Sequence, residues 1–148
     1  MNKYNFNDCA ENIKHKEITF KENKSKFTIY NPNEKEVLKV TIDGCVIKDT
    51  KGNNVKKCDY LAIDTNENNA HFIELKGKDI DTAIEQLINT IKIITSKEKN
   101  YLEKDFKKIF TYVCSSNVPQ GTNTQKITKK IKRVNNNIEF SLSKETKI

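Results

Sequence analysis

The 148-residue chain lacks most of the signals that sort a sequence at a glance. Pro32 and Pro119 are its only prolines, and no Pro-, Gly- or Ser-rich linker or internal repeat divides it. At a rough prior of 100–200 residues per domain, residues 1–148 read as one domain. No apolar run approaches the ~18 residues of a membrane span, so no membrane is expected as partner. No apolar stretch follows Met1, which speaks against a secretory leader and makes the cytoplasm the expected location. The cysteines, Cys9, Cys45, Cys58 and Cys114, form no CxxC pair and have no histidine at zinc-finger spacing. His15 and His71 stand alone in the sequence. Without an export signal disulfides are not expected. Cys45, Cys58 and Cys114 lie in apolar runs and read as buried small hydrophobes. A zinc-stapled interaction protein built on all four cysteines is the weakest functional reading.

Hydrophobic residues make up 35% of the chain and charged residues 32%. The core must therefore be economical and the surface heavily solvated. Arginine is nearly absent: Arg133 is the only one, and lysine carries almost all of a net charge of +7. A basic domain attracts polyanions, nucleic acid being the usual one. The lysine-rich and asparagine-rich composition is equally well read as a general bias in residue usage. The densest basic stretch is Lys126, Lys129, Lys130, Lys132 and Arg133. On a helix it is ordinarily a solvated face; beside an active site it would bind phosphates and make affinity salt-dependent.

Period and punctuation give the element order. A short helix is expected near Asn7–Lys14. Ile18–Phe20 and Phe27–Ile29 alternate apolar and polar around Lys21–Lys26, which reads as a hairpin. Strands are expected at Glu36–Ile42, Cys58–Ile63 and Ala70–Lys76. Turns are expected at Asp49–Lys56, around Gly52, and at Asp64–Asn69. Ile80, Ala83, Ile84, Leu87, Ile88, Ile91 and Ile94 recur at helical spacing behind a capping Asp79. A weaker helix at Glu98–Lys108, a strand at Ile109–Cys114, a helix at Thr122–Val134 and a strand at Ile138–Leu142 complete the chain. The tail Ser143–Ile148 is expected to fray. The fold class is α/β, a central mixed sheet flanked by helices.

Chemistry concentrates in two of these strands. On Ala70–Lys76, Glu74 and Lys76 share a face. Charges on an otherwise apolar strand are costly unless paired or bound to an ion. Asp59 opens the neighbouring strand, and the Asp64–Asn69 turn brings it back towards Glu74. Two carboxylates and a lysine converging at the edge of a sheet suit a hard cation such as Mg²⁺, which takes one or two carboxylates and keeps waters or a substrate phosphate. Such an ion acidifies water and steadies phosphoryl charge, and a nearby lysine can orient the water.

Asp59 followed after fourteen residues by Glu74-Leu75-Lys76 resembles the D-x(n)-E-x-K signature of the PD-(D/E)XK nuclease superfamily, with its restriction-endonuclease-like fold. The context is similar too: the Asp begins a strand, E-x-K ends the next, and an amphipathic helix follows. The resemblance spans roughly Val37 to Cys114. It implies a core of about residues 36–115, with the N-terminal hairpin and C-terminal basic helix as additions. It also implies metal ligation by Asp59, Glu74 and the backbone carbonyl of Leu75, with Lys76 as the catalytic lysine. Asp43, just before Gly44, is a candidate for a further metal-binding acid, against its ordinary reading as a turn residue; Glu11 is a weaker one. Cys58 stands where the family name has proline. Gln86 matches a supporting glutamine of some branches, but Thr90 stands where those branches carry tyrosine.

The expected function is thus a Mg²⁺-dependent nuclease, with Mn²⁺ able to substitute and DNA endonuclease activity favoured. The partner is nucleic acid, and a homodimer or a larger complex fits so small a chain. The alternative is an inactive nuclease-fold module that binds nucleic acid or protein. Without the family context, Glu74 and Lys76 would be an ordinary i, i+2 ion pair on a solvated strand.

Overall fold

The computed structural model describes residues 3–75, 79–114 and 124–148. In chain order these form β1 (Ala10–Ile13), β2 (Glu17–Glu22), β3 (Ser25–Tyr30), β4 (Val37–Thr41), β5 (Tyr60–Asp64), β6 (Asn69–Glu74), α1 (Ile80–Thr95), β7 (Lys108–Val113), α2 (Thr124–Lys132), β8 (Ile138–Leu142) and β9 (Glu145–Lys147). Six strands make a mixed sheet in the order β1-β4-β5-β6-β7-β8. Its pairs are antiparallel from β1 to β6 and parallel from β6 to β8. A second sheet has the order β2-β3-β9. The protein is therefore α/β, as the periodicities predict.

Register assigns the faces. Leu61, Ile63, Ala70, Phe72, Ile109 and Val113 join Ile84, Leu87, Ile91 and Ile94 of α1 and Ile131 of α2 in one core. Ala62, Ile73, Leu75 and Tyr112, on the opposite face, pack against Ile18, Phe20, Phe27 and Ile29 of the small sheet. Both helices thus serve one face, and the other is covered by strands. Each fully buried phenylalanine or isoleucine there stabilises the fold by roughly 1.5–3 kcal/mol. The amphipathic stripe of α1 is buried as expected, and Asp79 caps it by accepting the Asp81 N–H at 3.1 Å. No described helix is long and apolar enough to cross a membrane.

Four local expectations are corrected. Asn7–Lys14 is a single 3-10 turn followed by β1, because β4 offers an open edge and Ala10–Ile13 pairs with it. Glu98–Lys108 is not helical: Asn100 has a positive φ of 56°, and the Asn100 and Tyr101 carbonyls accept from Asn5. The tail does not fray, since Glu145–Lys147 adds a parallel strand to the free edge of β3. Cys9 and Cys45 form a disulfide, where reduced thiols were expected. They lie 36 residues apart, in segments whose proximity only the folded sheet creates. Cys58 and Cys114 are buried free thiols, so the four cysteines do not converge on a metal.

Candidate metal centre

The site forms where β5 and β6 end. Tyr60 lies opposite Ile73, and one step further the Asp59 N–H donates to the Ile73 carbonyl at 3.2 Å. The Leu75 N–H returns the connection, donating to Asp59 Oδ2 at 2.7 Å. Asp59 and Glu74 therefore face each other across the strand pair, as the turn between their strands predicts. The Cys114 N–H donates to the Glu74 carbonyl at 2.8 Å and ties the same point to the end of β7.

Two further segments bring acids to this end. The Asp59 carbonyl accepts from Ile42 N–H at 3.1 Å and from Asp43 N–H at 3.3 Å, so the turn after β4 sits against the start of β5. Gly44, at φ +79°, allows that turn to reverse. From the other face, the Tyr60 hydroxyl donates to the Lys21 carbonyl at 3.0 Å, and the Phe20 and Tyr60 rings pack at 5.3 Å. These contacts carry the end of β2 over the site. One carboxylate oxygen each from Glu22, Asp43 and Asp59 then lies within 4.8 Å of the others. Asp43, a candidate on the sequence, is one of the three. Glu22 was not anticipated: the hairpin is legible, but nothing local says that its end folds over β5.

Glu74, beside this group, is buried like Asp59, at 2% exposed, and its Oε2 has no hydrogen-bond partner among the described residues. Burial, then a hydrogen bond to Asp59 and the charges of Asp59 and Glu22, push its carboxyl far above the ordinary carboxylate range. The neutral acid form of Glu74 is thus favoured over its ordinary carboxylate. Lys57, also missed by sequence reasoning, offsets part of the negative charge. It is 9% exposed, 3.8 Å from Asp43 and 2.6 Å from Asp49.

Other candidates have plain positions. Lys76 lies outside the described residues. Leu75 is buried beside Asp59 through its N–H. Gln86 is half-buried, and its carbonyl accepts from the Thr90 hydroxyl at 2.7 Å. Thr90 Oγ1 in turn accepts the Cys58 N–H at 2.8 Å, so Thr90 anchors α1 to the residue preceding Asp59. Burial pushes the Cys58 thiol far up, leaving it no nucleophilic role. Glu11 lies opposite Lys39 on β1. Lys126, Lys129, Lys130, Lys132 and Arg133 are exposed, on α2 and just past its end. α2 packs against β8 and α1.

The donor set is all oxygen, from three carboxylates in mutual reach and a fourth beside them. Hard divalent cations prefer such oxygens. Among the described residues, Glu74 Oε2 shares its lack of a hydrogen-bond partner with Asp64 Oδ1 and Asn69 Oδ1 at the far end of the same strand pair, so what singles out this end is the number of carboxylates that converge there. No protein-family model, curated protein or solved structure matches this chain.

Proposed function

We propose that the chain is a divalent-cation-dependent nuclease of the PD-(D/E)XK kind, hydrolysing phosphodiester bonds and acting on DNA. The observation that carries this reading is the convergence of Glu22, Asp43 and Asp59 within 4.8 Å beside buried Glu74. The chain order supports it: an antiparallel β4-β5-β6 meander, the α1 crossover, then β7 parallel to β6. That is the strand–strand–strand–helix–strand order of the family's core.

Asp59, Glu74 and the Leu75 carbonyl would hold Mg²⁺ or Mn²⁺, with Asp43 and Glu22 as further carboxylate ligands within reach of Asp59. When bound, the cation supplies Lewis-acid charge to a phosphoryl oxygen and lowers the pKa of water. The chain's own contribution is positional. The Leu75 N–H fixes one oxygen of Asp59, and Thr90 holds the Cys58 backbone behind it. Lys76 follows Glu74 by two residues and would offset charge growing on the phosphoryl group as water displaces the leaving alkoxide.

The test is nicking of supercoiled plasmid and degradation of linear DNA with Mg²⁺, Mn²⁺ or EDTA. Cleavage is expected with either ion, none in EDTA, and a loss of at least about 10³-fold in Asp59→Asn and in Lys76→Ala. Equal cleavage by wild type and Asp59→Asn would overturn the assignment. Metal-dependent stabilisation without cleavage of DNA or RNA would leave the binding-module alternative.

A further inference from the structure

The hairpin that delivers Glu22 also opens a second feature. A cavity of about 320 Å³ lies beside β3 and the Lys144 segment, with Lys24, Lys26, Tyr30, Cys114, Lys144 and Glu145 among its lining residues. The three lysines are exposed. Tyr30, 38% exposed, is the one large hydrophobic side chain among the described residues that stands out to solvent. The groove is built into the fold. The Thr28 N–H donates to the Lys144 carbonyl at 3.1 Å, holding the Lys144 segment against β3. Glu145, the carboxylate that lines the groove, and Glu17, opposite Tyr30 across the hairpin, raise the pKa of the Tyr30 hydroxyl.

The groove also adjoins the acidic cluster. Ser25 pairs with Glu22 across the hairpin, which sets Lys24 and Lys26 on either side of that pair's second residue. The Cys114 thiol donates to the Lys26 carbonyl at 3.3 Å, and the Cys114 N–H donates to the Glu74 carbonyl at 2.8 Å. One residue, Cys114, thus separates the groove wall from the metal centre. Cations beside an exposed aromatic ring, next to a cluster suited to phosphoryl chemistry, fit one ligand class. Lysines meet backbone phosphates, and the ring offers a face to an unpaired base. A duplex keeps its base faces stacked and gives Tyr30 nothing to cover. α2, which carries the densest basic stretch of the sequence, has no such ring.

We infer that the groove formed by Lys24, Lys26, Lys144 and Tyr30 binds a single strand of nucleic acid and leads its backbone to the acidic cluster. The choice of ligand rests on the nuclease reading; the groove itself does not.

Fluorescence anisotropy with short labelled oligothymidylate, oligouridylate and a matched duplex tests this, in EDTA so that nothing is cut. Wild type should prefer a single strand to duplex, and the two oligonucleotides report DNA against RNA. Lys24→Gln/Lys26→Gln/Lys144→Gln should weaken single-strand binding at least about tenfold. It should also lower the slope of log affinity against log salt by about 2, at roughly 0.7 per phosphate contact. Tyr30→Ala should cost about fivefold or more, and Tyr30→Phe should retain most of the binding. Lys129→Gln/Lys130→Gln/Lys132→Gln should cost less than about threefold. Circular dichroism checks that each variant is folded. An α2 effect equal to or larger than the groove effect overturns the inference, as does preferred binding of duplex or no binding by wild type. Groove-dependent binding without metal-dependent cleavage would remove the hydrolase reading and leave the groove. Cleavage that the groove variant performs as well as wild type would remove the groove and leave the hydrolase.

Discussion

β5 and β6 each carry polar side chains at both ends, and the two ends of this strand pair behave oppositely. At one end Asp59 faces Glu74; at the other Asp64 pairs with Asn69. Asp59, Glu74 and Asp64 are all buried. The Asp59 end gathers more acid, because the β2 end brings Glu22 and the turn after β4 brings Asp43. The Asp64 end is mixed: the amide of Asn69, Lys35 with its Nζ 3.9 Å from Asp64, and Glu67 in the intervening turn, which pairs with Lys107 at 3.6 Å. His71, next on that face, hydrogen-bonds the Tyr112 hydroxyl at 2.9 Å and is pushed down to about 4 by burial, so it is neutral. A buried carboxylate is thus not in itself a metal ligand. What distinguishes the Asp59 end is that the segments folded around it add charge of the same sign, which a proton on Glu74 and the Lys57 ammonium partly offset.

The sharpest way to break this comparison is to neutralise one carboxyl at each end. Glu74→Ala should reduce metal-dependent cleavage at least about 10³-fold, roughly 4 kcal/mol of transition-state stabilisation. Asp64→Asn should leave it within about twofold. Equal losses at both ends would mean that burial, not convergence, explains the acidic end.

The disulfide also belongs to the acidic end, because Cys45 lies two residues beyond Asp43. Cys9→Ser/Cys45→Ser should lower stability by about 3–4 kcal/mol, as expected for opening a loop of this length. Urea melts would read this, and an unchanged midpoint would show that the pair contributes nothing in solution.

The two ends should also titrate with opposite signs. His71 has a lowered folded pKa, so the unfolded chain binds the proton first as pH falls below about 6.5. Stability should therefore drop between pH 6.5 and about 4, by up to roughly 3 kcal/mol. Glu74 has a raised folded pKa, so the folded protein keeps a proton that the unfolded chain loses above about 4.5. Stability should fall as pH rises through the neutral range in EDTA, and Mg²⁺ should flatten that limb. Thermal melts across pH with and without metal, on wild type, His71→Phe and Glu74→Gln, check both. An alkaline limb that survives in Glu74→Gln would assign it elsewhere.

The smallest expected effect is that of the tether. Thr90→Val keeps the shape but leaves the Cys58 N–H without its acceptor, a cost of about 1–3 kcal/mol in stability. Because Thr90 positions the strand carrying Asp59, kcat should fall while the Asp64 end is undisturbed. A loss of stability with cleavage fully retained would make Thr90 purely structural.

Much of the fold was legible because its signals are local. The stripe from Ile80 to Ile94 and the alternation around Phe20 and Phe27 appear in the structure as helix and hairpin. The Glu98–Lys108 expectation failed where two side-by-side loops satisfy each other's backbone, and the tail expectation failed because an open edge on β3 captured it. Within the site, Asp59 and Glu74 were readable, since a hairpin joins them directly. Glu22 and Lys57 were not, because no periodicity links them to the β6 end.

By itself, the sequence determined the helix from Ile80, the hairpin and the central strands, and that two carboxylates meet across one short hairpin, since these follow from side-chain period and turn chemistry within a few residues. Only the tertiary structure decided that a third and a fourth acid join them, that Cys9 meets Cys45, and that the hairpin lysines flank the site. Those are contacts between distant segments, set by which apolar faces pack together, and such packing leaves no mark on the residues it happens to bring near.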